Sequence, residues 1–325
     1  MARPVFLLQF VLAAMLAAMV WKIAHTGKAP LESERNALTR LAWVDRSGAV
    51  LDSVDLKGRY IQPRLSTDGK MALLTRLEPG RADIWSLWVS SHAVTRLTAA
   101  KKRSAFAVWI PGRDSYIFGF KGQLLQKAAG REPEGLRLAD TPEVEWLLAN
   151  SVPEDWSADG RSIVFAVADN GRPSELFLMR AGNGAPFRLL KSEARAYEAR
   201  FSEDGNWIAL TSGRTGRNEV YVVPAPHDLS ALPLPEQSLI RVSEHGGYSP
   251  EWGPNGELLY IDADGNLMAA DRAGTASPDA ARPLFRMTSV GLPSYEYRFG
   301  GYSVDKSGRR FLVALSPRPN LSVRD

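Results

Sequence analysis

A short motif that recurs six times constrains the fold of this chain more than any other feature. In its fullest form, at residues 155–165, an aromatic residue and a serine precede an Asp-Gly turn, and an apolar strand follows. The glycine slot of the six copies falls at positions 69, 113, 160, 205, 256 and 308. Successive copies are thus 44 to 52 residues apart, which is typical of one four-stranded propeller blade.

The residue types of the motif predict that each copy is a β-hairpin. Asp-Gly and Asn-Gly supply the positive φ that a two-residue hairpin turn demands, and glycine meets it without a Cβ clash. The apolar residues on either side are those that fill a pleated, buried surface. The second copy differs, because Pro111-Gly112-Arg113 stands where Asp-Gly is expected, and its turn type stays open.

A third and a fourth strand follow five of the copies, whereas the sixth runs almost directly into the C-terminal residues. Residues 41–48 read as a copy of residues 267–274, so the missing pair is predicted at the other end of the chain. We expect residues 39–56 to close the ring by pairing with residues 303–315, which removes exposed sheet edges. The predicted fold is all-β: a six-bladed β-propeller of four-stranded antiparallel blades, closed by an N-terminal latch.

An apolar segment at residues 4–24 precedes the repeats and predicts one N-terminal transmembrane or signal helix. Both an uncleaved signal-anchor and a cleaved signal peptide remain open, and the basic residues Arg3, Lys22 and Lys28 leave the orientation open as well. The predicted division of the chain is a membrane anchor or signal segment at 1–25, a tether at 26–38, the propeller at 39–316 and a C-terminal tail at 317–325.

The composition narrows the class of partner. A formal net charge of +4, from 40 basic and 36 acidic residues, is too balanced to indicate nucleic acid binding. The absence of cysteine excludes disulfides and thiolate metal sites. A single propeller uses nearly all of the length, so we expect one domain besides the N-terminal segment, and we expect the propeller to be monomeric.

The motif and the downstream strands that begin with Asp or Glu resemble the TolB-like six-bladed propeller repeats. Residues 41–48, 199–210, 218–224 and 257–268 resemble more closely the WD-repeat-like propeller module that some bacterial membrane proteins carry behind a kinase or winged-helix domain. The resemblance implies a protein- or peptide-binding scaffold or sensor with partners in the cell envelope. It also implies a single-pass protein of the bacterial inner membrane with its propeller in the periplasm, or a protein secreted after signal cleavage.

Signals of catalysis are weak. A nucleophile elbow of the form Gly-x-Ser-x-Gly does not occur, and the four histidines lack metal-ligand spacing. We therefore expect no enzymatic activity and no cofactor. The alternative is a divergent propeller hydrolase, similar to a lactonase or phosphodiesterase, with calcium held in the central channel. Asp155 and Glu251 could then be ligands, although basic residues are predicted in the same ring.

Two sets of residues are candidates for a functional site. The residue before each aromatic motif position enters the innermost strand, which lines the channel of a propeller, and the charges alternate there: Arg64, Asp155, Arg200 and Glu251. These charges either neutralise one another or bind a cation or a peptide terminus. The second set consists of aromatic residues in the segments that lead into the inner strands, here called the rim: Tyr60, Phe106, Trp146, Tyr197, Tyr248 and Tyr295. Such residues either anchor a protein partner or pack between blades.

Overall fold

The computed structural model describes residues 38–78, 81–98, 104–120, 123–128, 151–167, 174–181, 185–192, 194–271, 273, 280–287 and 301–315. Within them, six sheets stand around a ring, so the predicted six-bladed all-β propeller is confirmed. No helix in these ranges is long and apolar enough to cross a membrane. The apolar segment 4–24 lies outside them.

The first three blades follow the chain in order. Blade 1 contains β3 (Arg59–Leu65), β4 (Met71–Glu78), β5 (Arg81–Trp88) and β6 (Val94–Arg96). Blade 2 contains β7 (Ser104–Trp109), β8 (Ser115–Phe120) and β9 (Gln123–Ala128), and its predicted fourth strand lies outside the described residues. Blade 3 contains β10 (Ser151–Trp156), β11 (Ser162–Val167), β12 (Glu175–Arg180) and β13 (Phe187–Arg188).

The next two blades carry the irregular elements. Blade 4 contains β15 (Ala196–Phe201), β16 (Trp207–Ser212), β17 (Glu219–Pro224) and β19 (Ile240–Arg241), with 3₁₀ helices at Leu229–Ala231 and Glu236–Ser238 before β19. The short parallel pair β14 (Leu190–Lys191) and β18 (Leu234–Pro235) ties this insertion to blade 3. Blade 5 contains β20 (Gly247–Trp252), β21 (Leu258–Asp262), β22 (Asn266–Ala270) and β23 (Arg282–Arg286), with a 3₁₀ helix at Pro254–Gly256.

Blade 6 is shared by the two ends of the chain. Its strand order is β2 (Val50–Lys57), β1 (Leu38–Asp45), β25 (Arg310–Leu315) and β24 (Tyr302–Val304), with β24 innermost. β1 pairs antiparallel with β25, from Arg40 opposite Leu315 to Asp45 opposite Arg310. The predicted latch is therefore confirmed, and it starts at residue 38.

The turns explain why the motif has its sequence. In blade 1 the Ser66 hydroxyl donates to the Asp68 carboxylate at 2.7 Å and accepts from the Met71 N–H at 3.0 Å. The Gly69 N–H donates to the Ser66 carbonyl, and Gly69 has φ +71°. The turn thus spans four residues and ends in a left-handed glycine, rather than having the two-residue form that we expected. Blades 3 and 4 repeat these hydrogen bonds.

The turn of the second copy differs by one residue. The Arg113 N–H donates to the Ile110 carbonyl at 3.2 Å, and the positive φ, +67°, belongs to Gly112. Proline at the second position and a left-handed glycine at the third define a type II turn. The hairpin is therefore kept although the Asp-Gly pair is missing.

The core lies between neighbouring blades. One apolar cluster joins blades 3 and 4 and includes Leu178, Phe201 and Tyr221, and another joins blades 5 and 6. Two motif tryptophans add hydrogen bonds across other blade boundaries: Trp109 Nε1 of blade 2 donates to the Arg64 carbonyl of blade 1 at 2.9 Å, and Trp252 Nε1 of blade 5 donates to the Arg200 carbonyl of blade 4 at 3.0 Å. The aromatic motif position therefore serves ring assembly.

Two motif glycines form a matched pair for a stability test. A Cβ at Gly308 would meet the Pro254 ring at 2.5 Å, whereas a Cβ at Gly205 would meet no atom within 4 Å. Both glycines have positive φ, so alanine at either position pays backbone strain of about 1–2 kcal/mol. We expect Gly308→Ala to lower the free energy of urea unfolding by about 1–3 kcal/mol more than Gly205→Ala, because it overpacks the boundary of blades 5 and 6. Equal losses would contradict this packing.

Candidate functional site

The inner strands of five blades share a β-bulge close to the rim. In each, the inner strand carries one residue more than its partner strand: for example, Tyr197 and Arg200 pair with Thr211 and Ala209. In four blades the bulge holds a non-glycine residue with φ between 52° and 62°: Gln62, Phe106, Glu198 and Ser249. Such conformations are strained by about 1–3 kcal/mol and need support from their surroundings.

Blade 3 accommodates the extra residue differently. Pro153 occupies the position that has positive φ in the other four blades, and the proline ring fixes φ near −65°. The register shift therefore falls between Pro153 and Asp155, which makes Glu154 the bulged residue. This shift places two consecutive carboxyl groups, on Glu154 and Asp155, at the channel.

Tyr197 and Tyr248 occupy the same position on neighbouring blades. Each is the last residue before the bulge of its inner strand, on β15 and β20, and each side chain is half-buried. The Arg195 guanidinium lies over the Tyr197 ring, 4.8 Å from its centroid. The two tyrosines thus lie at the same level of the rim in blades 4 and 5.

Tyr60 does not share this position. It lies one residue earlier in its strand, and alternation along a strand turns its side chain to the opposite face. Its ring is only 2% exposed and packs edge-on against Trp85 at 6.0 Å, with Arg76 above both rings. The Tyr60 side chain therefore packs in the core of the propeller and offers no surface to a partner.

The remaining rim candidates divide into two groups. Phe106 is half-buried and lies in the bulge of blade 2, where its N–H donates to the Thr75 hydroxyl at 3.3 Å. Trp146 and Tyr295 lie outside the described residues, so their placement stays a prediction.

Glu251 is the centre of an ion-pair cluster in the channel. Its Oε1 atom accepts from Arg64 Nη1 and, at 3.0 Å, from Arg200 Nε. Arg200 also donates to the Glu154 carbonyl at 2.9 Å and lies 3.5 Å from the Glu154 carboxylate. Arg200 of blade 4 thus contacts the neighbouring blades 3 and 5, whereas the contact of Arg64 in blade 1 with Glu251 in blade 5 skips blade 6.

Three carboxyl groups act as clamps between neighbouring blades. Glu154 accepts from the N–H of the strained Glu198 at 3.2 Å, and Asp155 accepts from the Phe201 N–H at 2.8 Å. Glu198 in turn accepts from the Ser249 N–H at 2.8 Å and from the Thr211 hydroxyl at 2.7 Å. A carboxyl group of one blade thus supports the bulge of the next.

Burial changes the acidity of this cluster. Desolvation, with a contribution from the nearby Glu198 carboxylate, raises the pKa of Glu154 to about 8. Desolvation also raises the pKa of Asp155 and that of Glu198 to about 7. The same cause raises the pKa of Glu251, against the opposing effect of Arg64. Four carboxyl groups face two arginines, so the cluster holds protons near neutral pH.

The cluster is poorly suited to a metal ion. Among the described residues, no group of three or more histidine, aspartate and glutamate side chains is arranged to hold one. The Glu251 carboxylate is already bonded to two guanidinium groups, and Asp155 and Glu198 accept from backbone N–H groups. A cation in this part of the channel would have to displace these contacts.

Sequence reasoning brought four channel residues together and missed their partners. The motif offset identified Arg64, Asp155, Arg200 and Glu251, which the structure places around the same channel. The motif offset did not identify Glu154, Glu198 or Tyr302. The Tyr302 hydroxyl donates to the Ser249 carbonyl at 2.9 Å. The contacts of these residues depend on the β-bulges of the inner strands. The one sequence signal for the bulge is that Glu198 and Ser249 lie at the same distance before their turn glycines, Gly205 and Gly256.

Comparisons with known proteins support the fold. No family model matches the chain. An uncharacterized protein of Agrobacterium fabrum is 26% identical over 113 residues, a match that covers 34% of this chain and 36% of that protein. A structure assigned to TolB from Agrobacterium tumefaciens superposes with a TM-score of 0.65 at 18% identity, covering 86% of this chain and 99% of that one.

A second solved structure agrees with the first. TolB from Acinetobacter baumannii superposes with a TM-score of 0.53 at 15% identity, covering 92% of this chain and 68% of that one. At these identities the likeness concerns the fold alone. The chain therefore has a TolB-like six-bladed propeller fold, as its repeats predicted.

Proposed function

We propose that this protein is a membrane-tethered, extracytoplasmic propeller that binds a protein or peptide through its rim and has no catalysis of its own. The observation that carries the proposal is the equivalent position of Tyr197 and Tyr248 on neighbouring blades. Tyrosine combines a large apolar ring with a polar hydroxyl, and only two side-chain torsions are fixed on binding. Arg195, stacked on Tyr197, adds a residue type common in protein-recognition hot spots.

The channel cluster supports this function indirectly. Carboxyl groups clamp the bulges that come directly after Tyr197 and Tyr248, because Glu154 accepts from the Glu198 N–H and Glu198 accepts from the Ser249 N–H. A rigid bulge fixes the direction of the tyrosine before it. A rim held in this way loses little conformational freedom when a partner binds.

The proposal places the protein in the bacterial cell envelope. Residues 4–24 would anchor the chain in the inner membrane, and residues 26–37 would connect the anchor to β1, with the propeller in the periplasm. Secretion after cleavage of the same segment is the alternative. The partner of the anchored propeller would be another envelope protein that presents an extended segment.

A crosslinking experiment tests the recognition role. The full chain with a C-terminal tag is produced in a bacterial host, crosslinked in intact cells and isolated, and captured proteins are identified by mass spectrometry. We expect the double variant Tyr197→Ala and Tyr248→Ala to reduce recovery of the specific partner at least about tenfold, since two hot-spot aromatics contribute about 2 kcal/mol or more together.

The matched control is Trp88→Ala. Trp88 is an aromatic residue with 45% exposure that pairs with Met71, at the end of the blade away from the rim. It should leave capture unchanged. Equal recovery with the tyrosine variant and the wild-type chain, or a tyrosine variant that fails to fold, identifies Tyr197 and Tyr248 as packing residues and contradicts the proposal.

A further inference from the structure

The chain enters the propeller on the rim side. β1 begins at residue 38, and the Thr39 N–H donates to the Gly58 carbonyl at 3.1 Å. The Tyr60 N–H donates to the Thr39 hydroxyl at 2.9 Å. Gly58 directly precedes the inner strand of blade 1, and Tyr60 is the second residue of that strand. The start of β1 therefore lies at the level where the inner strands begin, which is the rim.

The other end of the ring leaves on the same side. β25 ends at Leu315, opposite Arg40 near the start of β1. In blade 4 the corresponding connection, between the second and third strands, is a loop that contacts the rim: the Gly213 N–H donates to the Arg195 carbonyl at 3.0 Å. In blade 6 the two chain ends take the place of this loop.

We propose that the rim faces the membrane, so that the partner is the membrane-proximal segment of an envelope protein, held between the ring and the bilayer. This inference rests on the anchor and the recognition role proposed above. It adds to them the orientation of the propeller relative to the membrane. The face that carries the turn glycines would point away from the bilayer.

The length of the connecting segment favours this orientation. Twelve residues, 26–37, separate the predicted anchor from β1, and an unstructured chain of that length has an r.m.s. span of about 20 Å. β2 has eight residues, so blade 6 is about 26 Å high at 3.3 Å per residue. To turn the opposite face toward the bilayer, the segment would have to run about 20–26 Å down the blade, which would use up all of its r.m.s. span or more before it reached the bilayer.

The chemistry of the rim also suits a position beside a bilayer. The side chains of Tyr197 and Tyr248 are half-buried, because the propeller covers part of each aromatic side chain. Tyrosine and arginine are enriched where a membrane meets water, because each combines an apolar stem or ring with a polar end. Arg195 over Tyr197 is such a pair.

Two single-cysteine variants test the orientation, since the natural chain has no cysteine. Thr215→Cys labels the exposed rim-side loop between β16 and β17, and Thr67→Cys labels the exposed turn after β3 on the opposite face. The six residues of an inner strand put the two faces about 20 Å apart. Each full-length variant carries a fluorophore and is reconstituted in vesicles of phosphatidylethanolamine and phosphatidylglycerol that contain a headgroup spin label as quencher.

The inference predicts that the label at position 215 is quenched at least about twofold more than the label at position 67, because quenching falls steeply over a few ångströms while the faces are about 20 Å apart. Equal quenching, or stronger quenching at position 67, overturns it. A carbonate wash of the same vesicles separates the causes. If the full chain washes off, the proposed anchor fails and the orientation fails with it, whereas the recognition role remains testable with the tyrosine variants.

Discussion

Replacement of Glu251 by alanine is expected to lower the free energy of unfolding by about 3–5 kcal/mol, the usual loss when one partner of a buried ion pair is removed. Glu251 is the carboxylate to which both Arg64 and Arg200 donate, and the side chain of Arg200 is only 6% exposed. Without Glu251, both guanidinium groups would stay in the channel beside a smaller number of carboxylates. Urea unfolding monitored by tryptophan fluorescence measures the change.

An exposed ion pair provides the control for this prediction. Asp55 pairs with Arg40 at 2.9 Å, but about half of each side chain is exposed. Solvent-exposed pairs contribute about 0–1 kcal/mol, so Asp55→Ala should barely move the urea midpoint. A loss at Glu251 no larger than the loss at Asp55 would show that the cluster does not hold the ring together.

The second large effect is a fall in stability as the pH rises. The pKa of Glu154 is about 8, and those of Asp155 and Glu198 are about 7, whereas an unfolded chain has values near 4. Between about pH 4 and pH 8 the folded state therefore binds more protons than the unfolded state, and stability falls with rising pH across this window. Each pKa unit corresponds to about 1.4 kcal/mol, so the three groups together amount to several kcal/mol.

Glu154→Gln isolates one of these groups. The amide keeps an oxygen that can accept from the Glu198 N–H but cannot ionise. Thermal melts should show little change at about pH 4, where Glu154 is largely protonated in both states, and a higher Tm than the wild-type chain at about pH 8.5, because ionisation of Glu154 in the unfolded chain destabilises only the wild-type protein across this window. The exposed Glu203→Gln serves as control and should behave as wild type at both values. A variant that melts below wild type at the higher pH would show that the Glu154 charge is needed.

The fold was predictable because its signals are local and repeated. In blades 1, 3 and 4 the serine and aspartate of the turn bond to one another two residues apart, as Ser157 and Asp159 do in blade 3, so their spacing is visible in the sequence. The latch was also predictable, because residues 41–48 keep the pattern of a third strand. Only the exact form of the turns was wrong, since a four-residue turn uses the same Asp-Gly pair.

The candidate site was less predictable because it depends on a bulge. Arg200 and Glu251 can be placed at the channel because each directly precedes the aromatic residue of its motif. The extra residue of each bulge, however, decides which of the preceding side chains face the channel. Tyr60 and Tyr197 look alike in the sequence, yet they lie one position apart relative to the bulge and therefore point to opposite faces. Ser249, whose N–H donates to Glu198, lies 51 residues further along the chain in the next blade, and the motif spacing does not reveal this contact.

The central claim is recognition through Tyr197 and Tyr248, and site-specific photocrosslinking tests it most directly. A photoreactive phenylalanine derivative replaces Tyr248 in one full-length chain and Trp88 in another, and both are irradiated in living cells. The account predicts a discrete crosslinked product with one envelope protein from position 248 and none of that product from position 88. The same product from both positions, or no product from position 248, would contradict it.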